Sequence, residues 1–320
     1  MNIWRDGIMG VVTGDALGCP VQFEGRSEVA RHPITGMRGY GTFDLPEGSW
    51  TDDSSLTLAL LDSLTKKNAV NYKHIMDNFV DWLQNGKFTP YGYSYDIGRG
   101  TMESIFSYIK IPTDMHKGSA LVNNNGNGSL MRIMPICLFA YTKGYDIDTA
   151  MEYVHNVSAL THAHPRAQVA CGYYYCIVKA ILDNRIKEKH LTLDECIQIG
   201  IDQGNRYYED HPFHPETDHY HRLFFVDGFA YTPEDYVRSS GYVVDTLEAS
   251  IWSLINTKSY KDALLKVVNL GMDTDTVGAV TGGLAGLYYG YESIPDDWID
   301  ALQKKDWLIE MCEKANQKIK

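Results

Sequence analysis

A chain of 320 residues, 44% apolar and 22% charged, has the composition of a globular protein with a large core, which excludes native disorder. Its formal net charge of −12 excludes a general nucleic-acid-backbone binder, which needs clustered Lys and Arg, and favours cation binding. Six scattered cysteines with no C-x-x-C pair, no signal peptide and no run of 18 apolar residues predict buried free thiols, no membrane partner and a reducing, cytoplasmic location.

In chain order, residues 4–18 read as a helix with Gly7, Gly10, Gly14 and Gly18 on related faces. Glycine costs about 1 kcal/mol per helical site relative to alanine, so the repeat predicts close approach of another helix or a ligand. From Cys19 to Trp50 periodicity lapses and Pro20, Pro33 and Pro46 interrupt it, the pattern of a lid or binding loop, or of a string of short turns. At Trp50-Thr51-Asp52-Asp53-Ser54-Ser55 a hydroxyl and two adjacent carboxylates open a helix marked by Leu56, Leu60, Leu61 and Leu64. Taken alone, Thr51, Asp52 and Asp53 read as N-terminal capping residues.

Helices follow at 72–84 and 97–109, the latter with Asp96 as an N-cap candidate. The turn-rich run Asn123-Asn124-Asn125-Gly126-Asn127-Gly128-Ser129 opens another, with Leu130, Met134, Cys137 and Leu138 on one side. Further helical patterns cover 148–160, 165–182, 193–206, 233–255, 260–270, 276–289 and 306–318. The stretch from His211 to His221 reads as a loop whose four histidines lack the fixed spacing of a metal site. Alternation of period two is nearly absent, so the predicted fold class is all-α, with no fixed-period repeat.

A second acidic cluster, Met272-Asp273-Thr274-Asp275-Thr276, precedes a helix near the other end of the chain. Hard oxygen donors without Cys or His suit Mg²⁺, Mn²⁺ or Ca²⁺, and two clusters suggest two ions. Such a pair can share carboxylates, orient vicinal substrate hydroxyls and lower the pKa of a bound water. One site built from both ends predicts a single domain over 1–320. The Asn127-Gly128-Ser129-Leu130-Met131-Arg132 stretch has glycine at a helix start, where N–H groups can hold an anion, but lacks the Lys-Ser/Thr ending of a P-loop. His162, between two helices, reads as a cap or a packed side chain more readily than as a catalyst.

Taken together, Gly14-Asp15-Ala16-Leu17-Gly18, Trp50-Thr51-Asp52-Asp53, Asp96-Ile97-Gly98, Gly126-Asn127-Gly128-Ser129-Leu130-Met131-Arg132, Thr161-His162 and Asp273-Thr274-Asp275-Thr276-Val277-Gly278 resemble the ADP-ribosylglycohydrolase family over nearly the whole length. The resemblance implies an all-α orthogonal bundle with a central dinuclear Mg²⁺ or Mn²⁺ site held by Thr51, Asp52, Asp53, Asp273, Asp275 and Thr276. It implies ADP-ribose or an ADP-ribosylated protein as substrate, wrapped by Asn127, Gly128, Ser129 and Met131, lined by His162 and approached by Tyr242. Asp96 resembles the aspartate that faces the guanidinium in arginine-directed members, and Asp53 and Asp275 join it as catalytic candidates. Where relatives often carry a catalytic glutamate, this chain has Gln22, with Glu24 two residues on as a substitute. The expected activity is hydrolysis of the bond from ADP-ribose to arginine by a monomer; the alternatives are a crystallin-like, non-catalytic ADP-ribose binder and a hydrolase for serine-linked or small-molecule ADP-ribose.

Overall fold

The computed structural model describes residues 1–113 and 118–320, and among these it contains sixteen α-helices, five short 3-10 turns and two isolated bridges, with no strand. The all-α expectation is met. No helix among the described residues is long and apolar enough to cross a membrane, and all six cysteines are buried free thiols.

The two ends of the chain meet at the centre, where the helix Ile3–Gly18 packs along the helix Thr274–Tyr289. The glycine repeat explains how closely they approach. A Cβ at Gly14 would stand 2.1 Å from the Gly278 carbonyl oxygen, and one at Gly278 would stand 2.3 Å from that of Gly14. Gly10 and Gly282 show the same reciprocity at 2.2 Å each way. The glycines therefore face a helix, and the backbones touch where side chains would hold them apart. Tyr260 Oη donates to the Gly10 carbonyl at 2.9 Å, and Thr274 Oγ1 to that of Gly18 at 2.8 Å, which locks the register.

Around this pair the helices Asp52–Lys67, Met134–Thr142, Pro165–Ile186 and Val243–Ile255 complete an apolar core. Several boundaries differ from expectation for local reasons. The helix expected at 233–255 starts only at Val243, because Ser239-Ser240-Gly241 turns the chain and Ser240 Oγ accepts the Tyr242 N–H at 3.2 Å. The histidine stretch is helical, as His214–Thr217 and a 3-10 turn Asp218–Leu223, with Pro215 in the first turn, where its missing N–H costs nothing. Residues 19–50 carry the short elements Cys19–Val21 and Arg26–Val29 and are otherwise irregular. Asp96 caps nothing: its helix runs Arg99–Lys110 and begins after Gly98.

Candidate functional site

Both acidic clusters sit at the starts of buried helices, and a third helix holds the first one open. Thr51 is extended at the N-cap of Asp52–Lys67, yet its side chain makes no capping bond. The cap comes instead from Asp15, on the last turn of Ile3–Gly18. Its carboxylate accepts from the backbone N–H of Thr51 at 3.0 Å and of Ser54 at 2.9 Å, and from the Ser54 hydroxyl at 2.6 Å. With the helix start satisfied from outside, the oxygens of Thr51, Asp52 and Asp53 are released for other work. Burial raises the Asp15 pKa to about 7, the four hydrogen bonds from Ser54 and Thr51 holding back part of the rise.

Thr51 Oγ1 lies 3.0 Å from Asp15 Oδ1, 3.2 Å from Asp53 Oδ2 and 3.1 Å from Asp275 Oδ2. One hydroxyl proton can serve a single acceptor, so three carboxylates crowd a group that satisfies one. Asp53 Oδ1 and Asp275 Oδ1 are buried with no partner. Burial first, and the neighbouring aspartates second, push the carboxyls of Asp52, Asp53 and Asp275 well above their usual range. Asp96 and Asp273 are raised by burial too, although facing side chains such as the Gln22 amide offset part of it. Orphaned, desolvated hard oxygens of one sign form a donor set that fits divalent cations. Among the described residues, however, no three His, Cys, Asp or Glu side chains already stand in metal-ligand arrangement. The donor chemistry of these residues fits such ions.

Above this acidic floor opens a cavity of about 230 Å³. Asp52, Asp53, Asp273 and Thr276 reach its wall, while Thr51 and Asp275 lie beneath it, 1% and 0% exposed. Asp96, Gln22 and Phe23 also line it. Asp96 holds a left-handed φ of +53°, a region that Asp enters more readily than most residues with a Cβ.

Gly126-Asn127-Gly128 builds a further part of the wall. Asn127 Nδ2 donates to Asp273 Oδ2 at 2.5 Å and to Thr246 Oγ1 at 2.9 Å, so this loop is tied to the second acidic cluster. Gly100, Gly126 and Gly128 surround the His162 ring; a Cβ at Gly128 would come within 2.7 Å of its Cε1. His162 Nδ1 stands 2.9 Å from Thr161 Oγ1, which also accepts from the buried Arg132 at 2.7 Å. Burial, and secondarily Arg132, lower the His162 pKa to about 3, so the ring is neutral and serves as a hydrogen-bonding surface.

Met131 reaches the cavity, but three other candidates do not line it. Ser129 is fully buried and accepts from Ser158 Oγ at 2.8 Å, a packing role beneath the loop. The Tyr242 hydroxyl oxygen accepts from Arg166 Nη1 at 3.1 Å, and its backbone pairs with Gly126. Glu24 lies past the cavity edge, its carbonyl accepting the Met272 N–H at 2.7 Å, so Gln22 rather than Glu24 faces the aspartates. The cap role of Asp15 was invisible in the sequence, since nothing local links it to Thr51; its only signal was membership of the Gly14–Gly18 stretch.

The chain's likeness to known proteins agrees with this architecture. Residues 4–320 match the family model described as ADP-ribosylglycohydrolase. An ADP-ribosylarginine hydrolase, Tri1, of Serratia proteamaculans is 28% identical over 97% of this chain and 78% of its own length. The ADP-ribosyl-dinitrogen reductase glycohydrolase of Rhodospirillum rubrum is 29% identical over 93% and 89%. A solved structure described as an ADP-ribosylglycohydrolase-related protein complex superposes with a TM-score of 0.77 at 27% identity, covering 100% of this chain and 98% of the other. The chain belongs to the ADP-ribosylglycohydrolase family and is a hydrolase of that kind.

Proposed function

We propose that the protein, acting as one domain over its full length, hydrolyses the N-glycosidic bond between ADP-ribose and an arginine side chain. The observation that carries the acceptor assignment is Asp96, a carboxyl on the wall of the cavity whose floor is the paired acidic clusters. Two arginine-directed or protein-directed glycohydrolases among the relatives support it.

In this reading Thr51, Asp52, Asp53, Asp273, Asp275 and Thr276 hold two divalent cations, Mg²⁺ or Mn²⁺, which when bound supply Lewis acidity and anchor ribose hydroxyls. Asn127 fixes Asp273, and the backbone of Gly126, Asn127 and Gly128 leaves room for the nucleotide beside the neutral His162 ring. Cleavage at the anomeric carbon develops positive charge, which the carboxylates of Asp53 and Asp275 stabilise across a desolvated floor. Asp96, its carboxyl biased toward the protonated form by burial, gives a proton to the departing guanidine nitrogen, and its carboxylate then takes a proton from the water that adds to the anomeric carbon, releasing ADP-ribose. Gln22, uncharged, orients Asp96 and Asp273 without adding a further negative charge.

Release of free ADP-ribose from ADP-ribosyl-arginine, followed with and without EDTA, tests this. Chelation and Asp275→Ala should each lower kcat/KM at least a hundredfold, the scale of losing a major transition-state electrostatic contribution. Activity surviving both would overturn the mechanism, and faster turnover of the serine-linked substrate in the same assay would overturn the acceptor. Gln22 favours one rival, a non-catalytic ADP-ribose binder, because an amide cannot act as a base; tight calorimetric binding of ADP-ribose without turnover of either linkage would establish it.

A further inference from the structure

A ladder of aromatic rings leads away from the cavity across the surface. Its inner rung, Phe23, lines the cavity and is 63% exposed. From it the ring centroids step 6.5 Å to Phe43, 5.6 Å to Tyr95, 5.9 Å to Tyr93 and 6.2 Å to Tyr91. Tyr91, Tyr93 and Tyr95 are alternate residues in a helix-free stretch that bends at 91–93, with Gly92 at a φ of +82°, and the centroid spacings set the three rings side by side. The rail is held from behind: the Tyr95 hydroxyl donates to the Trp50 carbonyl, and Tyr91 Oη lies 2.6 Å from Ser49 Oγ. Tyr93, between these anchored rings, is 52% exposed.

Charge decides what such a rail takes. Phe23 and Phe43 are each followed directly in the chain by a carboxylate, Glu24 and Asp44, in a molecule of net charge −12. Lys304, near the outer end, is spent on the Thr89 carbonyl at 2.9 Å. Exposed ring faces interleaved with acids attract guanidinium and ammonium groups. Nucleic-acid bases would also stack on such rings, but a phosphate backbone needs clustered cations, and Arg99 on the wall of the same cavity stands alone and pairs with Glu103 at 3.9 Å.

We propose that the ladder docks the acceptor polypeptide: an extended, arginine-rich segment flanking the modified residue lies along Phe43, Tyr95 and Tyr93 and delivers its ADP-ribosyl-arginine past Phe23. This rests on the reading that Asp96 marks the acceptor end of the cavity.

The test separates docking from catalysis. Fluorescence anisotropy with the full chain should show saturable binding of a short, labelled, unmodified Arg- and Gly-rich peptide, and none of a matched Glu-rich peptide or a short single-stranded oligodeoxynucleotide. Tyr93→Ala should weaken the peptide roughly three- to tenfold, and Tyr93→Phe, which keeps the ring, should restore it. In turnover, Tyr93→Ala should raise KM for the ADP-ribosylated peptide by the same factor with kcat unchanged, while kcat/KM for free ADP-ribosyl-arginine stays as in the wild type. Equal peptide affinity in wild type and Tyr93→Ala, or tighter binding of the oligonucleotide, would overturn the proposal. Failure to turn over either substrate would instead sink the proposed activity and leave the anisotropy to decide docking.

Discussion

Asp15 acts at the distance of one carboxylate, yet it organises the acidic floor. By supplying the cap of Asp52–Lys67 from a neighbouring helix, it leaves Asp53 Oδ1 and the Thr51 hydroxyl facing Asp275 instead of their own backbone. Removing it strands the buried N–H groups of Thr51 and Ser54, each costing about 1–3 kcal/mol. Asp15→Ala should therefore lower unfolding free energy by about 2–4 kcal/mol in urea titrations, and lower activity beyond what the stability loss explains. A loss below 1 kcal/mol would show that the helix start finds other partners. Thr51, Asp52 and Asp53 were legible as oxygen donors because their residue types announce it. Asp15 was not, since its partners stand 36 and 39 positions away in sequence.

At the scale of elements, the contact between Ile3–Gly18 and Thr274–Tyr289 brings one acidic cluster to the other, since Asp15 and Asp275 each lie on one of these helices. The glycine repeat was readable in the first helix because helical glycine needs compensation, but its partner was not, because either a ligand or another helix would have met the same need. Backbone-to-backbone contact leaves no give. Gly14→Ala, whose Cβ would meet the Gly278 carbonyl at 2.1 Å, should cost about 3 kcal/mol or more and reduce activity by spreading the two clusters. Gly25→Ala, with nothing within 4 Å, should stay within about 0.5 kcal/mol of wild type. Urea melts of the two variants check this, and equal stability would contradict the close packing.

Across the whole molecule, the acidic floor couples folding to protons and, under the proposed function, to cations. Without cations, the buried carboxyls of Asp52, Asp53 and Asp275 titrate above their unfolded value of 3.8. The folded state then binds more protons than the unfolded one, so their contribution favours folding below pH 3.8 and is lost as pH rises through the raised folded values. A divalent ion competes with those protons. Mn²⁺ or Mg²⁺ should accordingly raise Tm, by more at pH 7.5 than at pH 5, with EDTA reversing the gain. Thermal scans with Mn²⁺, Ca²⁺ and chelator at both pH values measure it; a Tm indifferent to all three would argue against a cation site.

By itself the sequence determined the helical class, the oxygen-only character of the two clusters and the family resemblance, because each is written in residue type and short-range spacing. It left undecided where helices stop when serine, glycine or proline compete with periodicity, as at Ser240 and Pro215. Only the tertiary structure decided that Asp15 caps a foreign helix, that Gln22 rather than Glu24 faces the aspartates, that Ser129 and Tyr242 pack behind the cavity, and that Tyr91, Tyr93 and Tyr95 align with Phe43 and Phe23. The reason is physical: these roles depend on which buried donor meets which acceptor across segments far apart in the chain, and no local preference encodes that meeting.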